Sequence, residues 1–276
     1  MASEPVPPPP AAPLTMPASA SRTATLLSNL TNVSSRITAA SSTLSRSSSL
    51  PPVRLVAVSK LKPASDILAL HTSSTQSHFG ENYLQELLSK SRELPPTIHW
   101  HFIGGLQSNK CVTLARDVRA LWAVESVDTR KKASLLDRGW RERTDREGVE
   151  ERLRVFVQVN TSGEGNKAGV EMRDAVELCR FVREECGALR LQGLMTIGAI
   201  ARSTATKEGE ENEDFVRLRE TRETVVRELG LEELELSMGM SSDFEGAIAL
   251  GSDQVRVGTT IFGERPSKAE LKTVVA

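Results

Sequence analysis

Arg54-Leu-Val-Ala-Val-Ser-Lys60, followed by Leu61, Lys62 and Pro63, decides how this chain is read. Four consecutive small or branched apolar residues describe a strand buried on both faces, the kind found in parallel sheets. Pro63 blocks an immediate run into a helix, so the strand ends at a lysine. Alternation sends Val56, Val58 and Lys60 to one side and Leu55, Ala57 and Ser59 to the other. An ammonium on that apolar side is poorly solvated, and Lys62 nearby also favours the neutral amine. A lysine of this kind at the carboxyl end of a strand suits imine chemistry with a carbonyl compound. The competing reading is a strand-end lysine that snorkels to solvent.

Outward from this strand the chain alternates. Strand-like runs recur at 53–59, 77–81, 99–104, 120–125, 154–159, 190–197, 234–239 and 254–262. Between them, Asp66–Leu70, Tyr83–Leu94, Arg173–Glu185 and Asp214–Leu229 have helical periodicity. Eight such units over roughly 210 residues predict an α/β fold, a single (β/α)8 barrel of the TIM type spanning 51–276. A doubly wound sheet is the alternative, but no Gly-x-Gly-x-x-Gly follows the first strand. Arg138–Arg152 and Ser203–Glu213 read as solvated insertions.

The start differs from the rest. Residues 1–20 contain a Pro/Ala-rich run at 5–13 that predicts a disordered extension. In 21–50, Leu26, Leu27, Leu30, Val33, Ile37 and Leu44 have the spacing of a helix docked on the barrel. The stretch from Glu4 to Asp66 holds no acidic residue between those two, which is also compatible with a mitochondrial leader. The docked helix and a cytoplasmic location are preferred.

Lys+Arg 35 against Asp+Glu 36 leaves a formal charge of −1, with no bulk electrostatic case for nucleic acid. One Tyr and seven Phe give no base-stacking platform. Three cysteines suit a reducing compartment without a disulfide framework, and no apolar run approaches a membrane span. No apolar interface helix stands out, which predicts a monomer.

Barrels do their chemistry at the carboxyl ends of the strands. Lys60 sits at the first. The second gives Phe79-Gly-Glu-Asn82-Tyr83, where Asn82 can donate and accept. The third ends in Gly104-Gly105; His99 and His101 share a face, but with no third ligand at metal spacing they read as barrel histidines. After the seventh, Ser241 and Ser242 lead into Asp243–Leu250, with Ser242 and Glu245 spaced as a capping box. That helix start, with Ser241, would make a phosphate seat. On the eighth, Val255 and Val257 facing the helices would turn Arg256 and Gly258 to the site, with the Thr259 hydroxyl beside the Ser241 loop. A lysine amine and a phosphate seat converge on a ligand with an aldehyde and a phosphate, of which pyridoxal 5′-phosphate (PLP) is the clear candidate.

Leu55–Pro63, Phe79–Glu86, Trp100–Lys110, Val159–Gly169, Gly193–Gly198, Leu236–Ile248 and Gln254–Gly263 together resemble the pyridoxal phosphate homeostasis protein family, related to the barrel domain of alanine racemase. The resemblance implies Lys60 as the Schiff-base lysine and Arg256 facing the pyridine nitrogen. It also implies Ser241, Gly258 and Thr259 on the phosphate and Asn82 near the ring. An arginine at the ring nitrogen disfavours its protonation and weakens the electron sink. The related racemases also use a tyrosine from a separate C-terminal domain; this sequence shows no such domain and only Tyr83. The expectation is therefore a non-catalytic PLP carrier that buffers or delivers the cofactor to apo-enzymes, with a weak racemase or lyase as the alternative. Whether Glu164 and Lys167 gate the site does not follow from their spacing.

Overall fold

The chain is described here by a computed structural model covering residues 15–42, 51–145, 149–164, 168–198 and 211–264. Eight parallel strands close into one barrel in sequence order, with the first paired to the last. They are β1 (Arg54–Val58), β2 (His78–Glu81), β3 (His99–Phe102), β4 (Leu121–Val127), β5 (Leu153–Gln158), β6 (Leu189–Met195), β7 (Glu235–Ser237) and β8 (Gln254–Val257). The intervening helices are α2 (Ala64–Ser73), α3 (Leu84–Glu93), α4 (Cys111–Asp117), α5 (Arg130–Arg141), α6 (Ala175–Glu185), α7 (Glu213–Leu229), α8 (Phe244–Ala249) and α9 (Thr259–Phe262). This is the TIM-type barrel that the alternation predicts.

Ahead of it runs α1 (Ala20–Ser42), whose Leu26, Leu30, Val33 and Ile37 are buried at helical spacing. It docks as expected, and its polar face adds specific ties. Arg22 reaches Asp66 of α2 at 2.7 Å and the Phe262 carbonyl of α9 at 2.9 Å. Asn29 donates to the Ile261 carbonyl at 3.0 Å, and Arg36 pairs with Glu245 of α8. One helix thus braces the elements that follow β7 and β8. Leu44 and the Pro/Ala-rich start lie outside the described residues.

Two readings need correction. The eighth run is strand only to Val257: the Gly258 carbonyl accepts the N–H groups of Ile261 and Phe262, turning Thr259–Phe262 into α9. The stretch from Arg138 is no solvated insertion at its start. Arg138–Arg141 is the last turn of α5, and Trp140 is buried with its indole donating to the Glu151 carbonyl at 2.9 Å. Arg143 is also buried and donates to the Ala115 carbonyl at 3.0 Å. Charge density hid this packing from a sequence reading. Of Ser203–Glu213, the part up to residue 210 lies outside the described residues; Asn212 is buried and caps α7 by accepting from the Asp214 N–H at 3.0 Å.

Apolar side chains of alternating parity face the helices: Ala57, Val255 and Val257 join the larger core and Leu236 the second. The barrel interior is different. Glu125 of β4 bonds to His101 of β3, Ser237 of β7 and Gln254 of β8, so these contacts cross the lumen. A lumen filled by branched apolar residues is the usual solution. Here a polar network takes its middle, and Ala123, Phe156 and Met195 form a small separate apolar cluster.

Candidate functional site

At the carboxyl ends of the strands lies a cavity of about 360 Å³, within the range of ligand pockets. Lys60, Asn82, Ser241, Arg256, Gly258 and Thr259 all line it. The six candidate residues therefore come together, drawn from just past β1 and β2, from the β7–α8 loop, and from β8 and its junction with α9. Val58 and Lys60 share this wall, as strand alternation requires.

Ile103, Ile197 and Met240, which the sequence did not single out, also line the cavity, as does Lys62, which entered the sequence reading only as a neighbour of Lys60. Lys62 donates its ammonium to the Glu264 carbonyl at 2.5 Å. Burial, then the charge of Arg22, holds its pKa below the usual lysine value, against an opposing pull from Asp66. It brings a second amino group to the same space as Lys60.

Gly258 and Ser241 close one end of the cavity. The Gly258 N–H donates to Ser241 Oγ at 3.2 Å, tying the β7–α8 loop to the end of β8. A side chain at Gly258 would press on Val58, with its Cβ 3.2 Å from the Val58 carbonyl oxygen. The Met240 carbonyl takes the N–H groups of Asp243 and Phe244, whereas those of Ser241 and Ser242 have no partner among the described residues. The capping box does not form. Asp243 is the cap residue, its carboxylate accepts the Met240 N–H at 2.7 Å, and Glu245 turns away to Arg36. The anion-accepting character of this corner therefore comes from the loop amides and hydroxyls, not from a boxed helix start.

Arg256 is buried and immobilised. Its guanidinium donates to the Ser237 carbonyl at 2.8 Å, to Ser237 Oγ at 2.6 Å and to the Thr196 carbonyl at 2.8 Å. Burial pulls its pKa below the usual guanidinium value, while Glu125 and Asp243 oppose that. A guanidinium nonetheless stays charged in a protein, so a counter-charge is needed. Glu125 supplies it through Ser237, whose hydroxyl donates to Glu125 Oε2 at 2.6 Å.

Burial pushes the Glu125 carboxyl up. The hydrogen bond from His101, the charge of Arg256 and the Ser237 hydroxyl outweigh it and hold the group below its usual range. An ionised Glu125 only accepts, so His101 Nδ1, 2.7 Å away, carries a hydrogen. Burial holds His101 below its usual pKa despite Glu125, so its Nε2 accepts from His78 Nδ1 at 2.8 Å. Trp122 stacks on the His101 ring at 4.6 Å, and Arg54 and Arg154 lie over Trp122 at 4.6 and 4.2 Å, closing the lumen from below. His101 is thus a satisfied barrel histidine. Nothing in the strand sequences announced Glu125 as its partner, because a single carboxylate in an apolar run has no periodic signature.

Asn82 is fixed by an unusual approach. A Cβ on Gly104 would lie 2.2 Å from the Asn82 carbonyl oxygen, so only glycine lets the two strand ends come so close. The Asn82 Oδ1 is buried and has no partner among the described residues, an acceptor open to a donor within the cavity wall. Farther round, Asn160 donates to the Glu164 carbonyl at 2.9 Å, and Lys167 lies outside the described residues.

Geometry of this kind defines a class: a parallel (β/α)8 barrel that presents a lysine from its first strand opposite an anion-accepting corner between its last two. The family model described as alanine racemase, N-terminal domain, matches residues 33–266. The chain belongs to the pyridoxal phosphate homeostasis protein family within that class. A protein of that name from Schizosaccharomyces pombe is 47% identical over 216 residues, covering 78% of this chain and 86% of the relative. The one from Homo sapiens is 42% identical over 219 residues, covering 77% and 76%. Among solved structures, PipY of Synechococcus elongatus with PLP bound superposes with a TM-score of 0.66 at 30% identity, covering 86% of this chain and all of PipY. An alanine racemase from Clostridium difficile shares the fold at a TM-score of 0.65 and 13% identity.

Proposed function

We propose that this chain binds PLP as a Schiff base on Lys60 and serves intracellular PLP homeostasis, buffering or delivering the cofactor rather than running ordinary catalysis on it. The observation that carries this reading is the gathering of Lys60, Asn82, Ser241, Arg256, Gly258 and Thr259 around one cavity. The groups fit the ligand in kind. Loop amides and hydroxyls at Ser241, Ser242 and Gly258 suit a phosphate, and the unpartnered Asn82 Oδ1 suits a donor at the ring edge. PLP supplies an aldehyde, to which the Lys60 amine adds with loss of one water.

Two features favour holding over turnover. Arg256, locked by three hydrogen bonds to protein acceptors, offers the ring nitrogen no proton. Tyr83, half exposed at the start of α3, is not among the residues that line the cavity, so no tyrosine of this chain stands ready as a second acid–base group. The reversible linkage keeps a reactive aldehyde sequestered until an apo-enzyme takes it, with the chain acting as a cytoplasmic monomer.

The test is the visible spectrum of the protein with PLP, for wild type and Lys60→Ala. An imine band in the wild type only, fixed by borohydride on Lys60, is the expected result; no band in either protein overturns it. Exchange of an amino acid α-hydrogen in deuterated water would favour the racemase or lyase reading instead.

A further inference from the structure

The backbone on either side of Lys60 is gripped by the buried Lys90 and the partly buried Glu86, which no strand-end reading pointed to. Lys90 of α3 is 6% exposed and spends all three of its ammonium hydrogens inside the protein. They go to the Ser59 carbonyl at 2.9 Å, to Glu81 Oε1 at 2.7 Å and to Glu86 Oε1 at 2.6 Å. Glu86 Oε1 also accepts the Leu61 N–H at 2.7 Å, and Glu81 Oε1 accepts the Ser59 hydroxyl at 2.6 Å. The Ser59 carbonyl belongs to the peptide that precedes the Lys60 Cα, and the Leu61 N–H to the peptide that follows it. Both peptide planes that set the Lys60 φ and ψ are thus anchored to the same cluster. Leu61 itself has φ +61°, a left-handed conformation that a branched side chain holds only when its surroundings impose it.

We propose that Lys90, with Glu81 and Glu86, is a positioning cluster that fixes the backbone around Lys60 and so aims its amine at the ligand's carbonyl. This rests on the reading of Lys60 as the carbonyl-reactive lysine. The cluster has features that plain stability does not require. Two carboxylates share one ammonium, and burial pushes Glu81 up to about 7 against the charge of Lys90. Glu81 Oε2 is left buried without a partner among the described residues. A buried ionic cluster is often no more stabilising than apolar packing of the same shape, so its value here lies in the directions it imposes on the Ser59 carbonyl and Leu61 N–H.

The inference is tested by stopped-flow absorbance of PLP addition to the whole protein, with borohydride trapping to map the modified lysine. Affinity for pyridoxine 5′-phosphate, which has the ring and phosphate but no aldehyde, is measured alongside. Lys90→Met and Glu86→Ala should form the Lys60 adduct roughly tenfold or more slowly, as expected when a reacting group is misplaced. Their affinity for pyridoxine 5′-phosphate should stay within about twofold of wild type, because the phosphate corner lies on other strands. Glu86→Gln, which keeps an oxygen for the Leu61 N–H, should recover most of the rate lost in Glu86→Ala. If Lys90→Met does not fold, the two Glu86 variants decide, since Glu86 is partly exposed. Unchanged adduct rates overturn the inference and leave the Lys60 reading intact. Parallel loss of rate and pyridoxine 5′-phosphate affinity also overturns it, as a general structural defect. No adduct in the wild type overturns the Lys60 reading and the inference with it.

Discussion

Arg256 meets Ser237 twice, at the carbonyl oxygen (2.8 Å) and at the hydroxyl (2.6 Å), and this double contact links the cavity wall to the buried Glu125. The guanidinium and the carboxylate are both buried, so loss of either leaves the other poorly compensated. Arg256→Leu should lower unfolding free energy by about 3–5 kcal/mol, the usual cost of stranding one buried charge. Adding Glu125→Gln should return part of that loss. Urea denaturation of the two single variants and the double variant measures the coupling; strict additivity would contradict a shared network.

The Ser241 hydroxyl in the cavity also receives a backbone hydrogen bond from the opposite loop, that of Gly258. Ser241→Ala would remove the hydroxyl proposed to hold a phosphate and would loosen the tie between the loops. A hydrogen bond to a charged group is worth about 1.5–3 kcal/mol, so affinity for pyridoxine 5′-phosphate should fall by at least roughly tenfold. Binding of unphosphorylated pyridoxal should be nearly unchanged. Calorimetry on both ligands checks this, and an equal loss for both would place the phosphate elsewhere.

Much of this site was legible because the relevant residues sit at strand ends, where parity and breaking residues give clear signals. Val58 and Lys60 on one wall follow from alternation alone, and so does Arg256 opposite Val255 and Val257. What escaped was whatever depends on a partner distant in sequence. Glu125 and Ser237 read as ordinary strand residues until closure of the barrel sets β4 across from β8. Lys90 and Glu86 lie on a helix that the sequence marks only by its periodicity, and they turn inward through contacts with Glu81 of β2 and with Ser59 and Leu61 just past β1. The capping box failed for a related reason: Arg36 of α1 captures Glu245, a tertiary contact outweighing a local motif.

The three histidines around Trp122 predict a specific acid sensitivity. Burial holds His78 down to about 2, and holds His99 and His101 below the ordinary value of 6.5. Their folded pKa values lie below the unfolded ones, so below pH 6.5 the unfolded chain binds more protons. Stability from this source is complete above that pH and declines as pH falls, by at most about 4 kcal/mol per unit if all three contribute. Glu81 works in the opposite sense: raised to about 7 from 4.5, its contribution falls as pH rises through that window. Glu81→Gln should therefore lose more stability than wild type between pH 7 and pH 5. Denaturant titrations at several pH values test both signs. A variant whose stability is flat over that range would show the histidines to be charged when folded.

Gly104 and Gly105 are adjacent in sequence and opposite in consequence. At Gly104 a Cβ would sit 2.2 Å from the Asn82 carbonyl oxygen and 2.6 Å from its Cα, whereas at Gly105 nothing lies within 4 Å. The obstacle at Gly104 is backbone, so no rotamer change relieves it, and the ends of β2 and β3 must move apart. Gly104→Ala should cost about 1–3 kcal/mol, the range for overpacking a tight site. It should also weaken ligand binding, because the shift carries Asn82 away from the cavity. Gly105→Ala should stay within about 0.5 kcal/mol of wild type, as surface substitutions do. Melting curves and ligand titrations on the pair separate the two outcomes. Equal behaviour would mean that the close approach of Gly104 to Asn82 does not hold the ligand side of the barrel together.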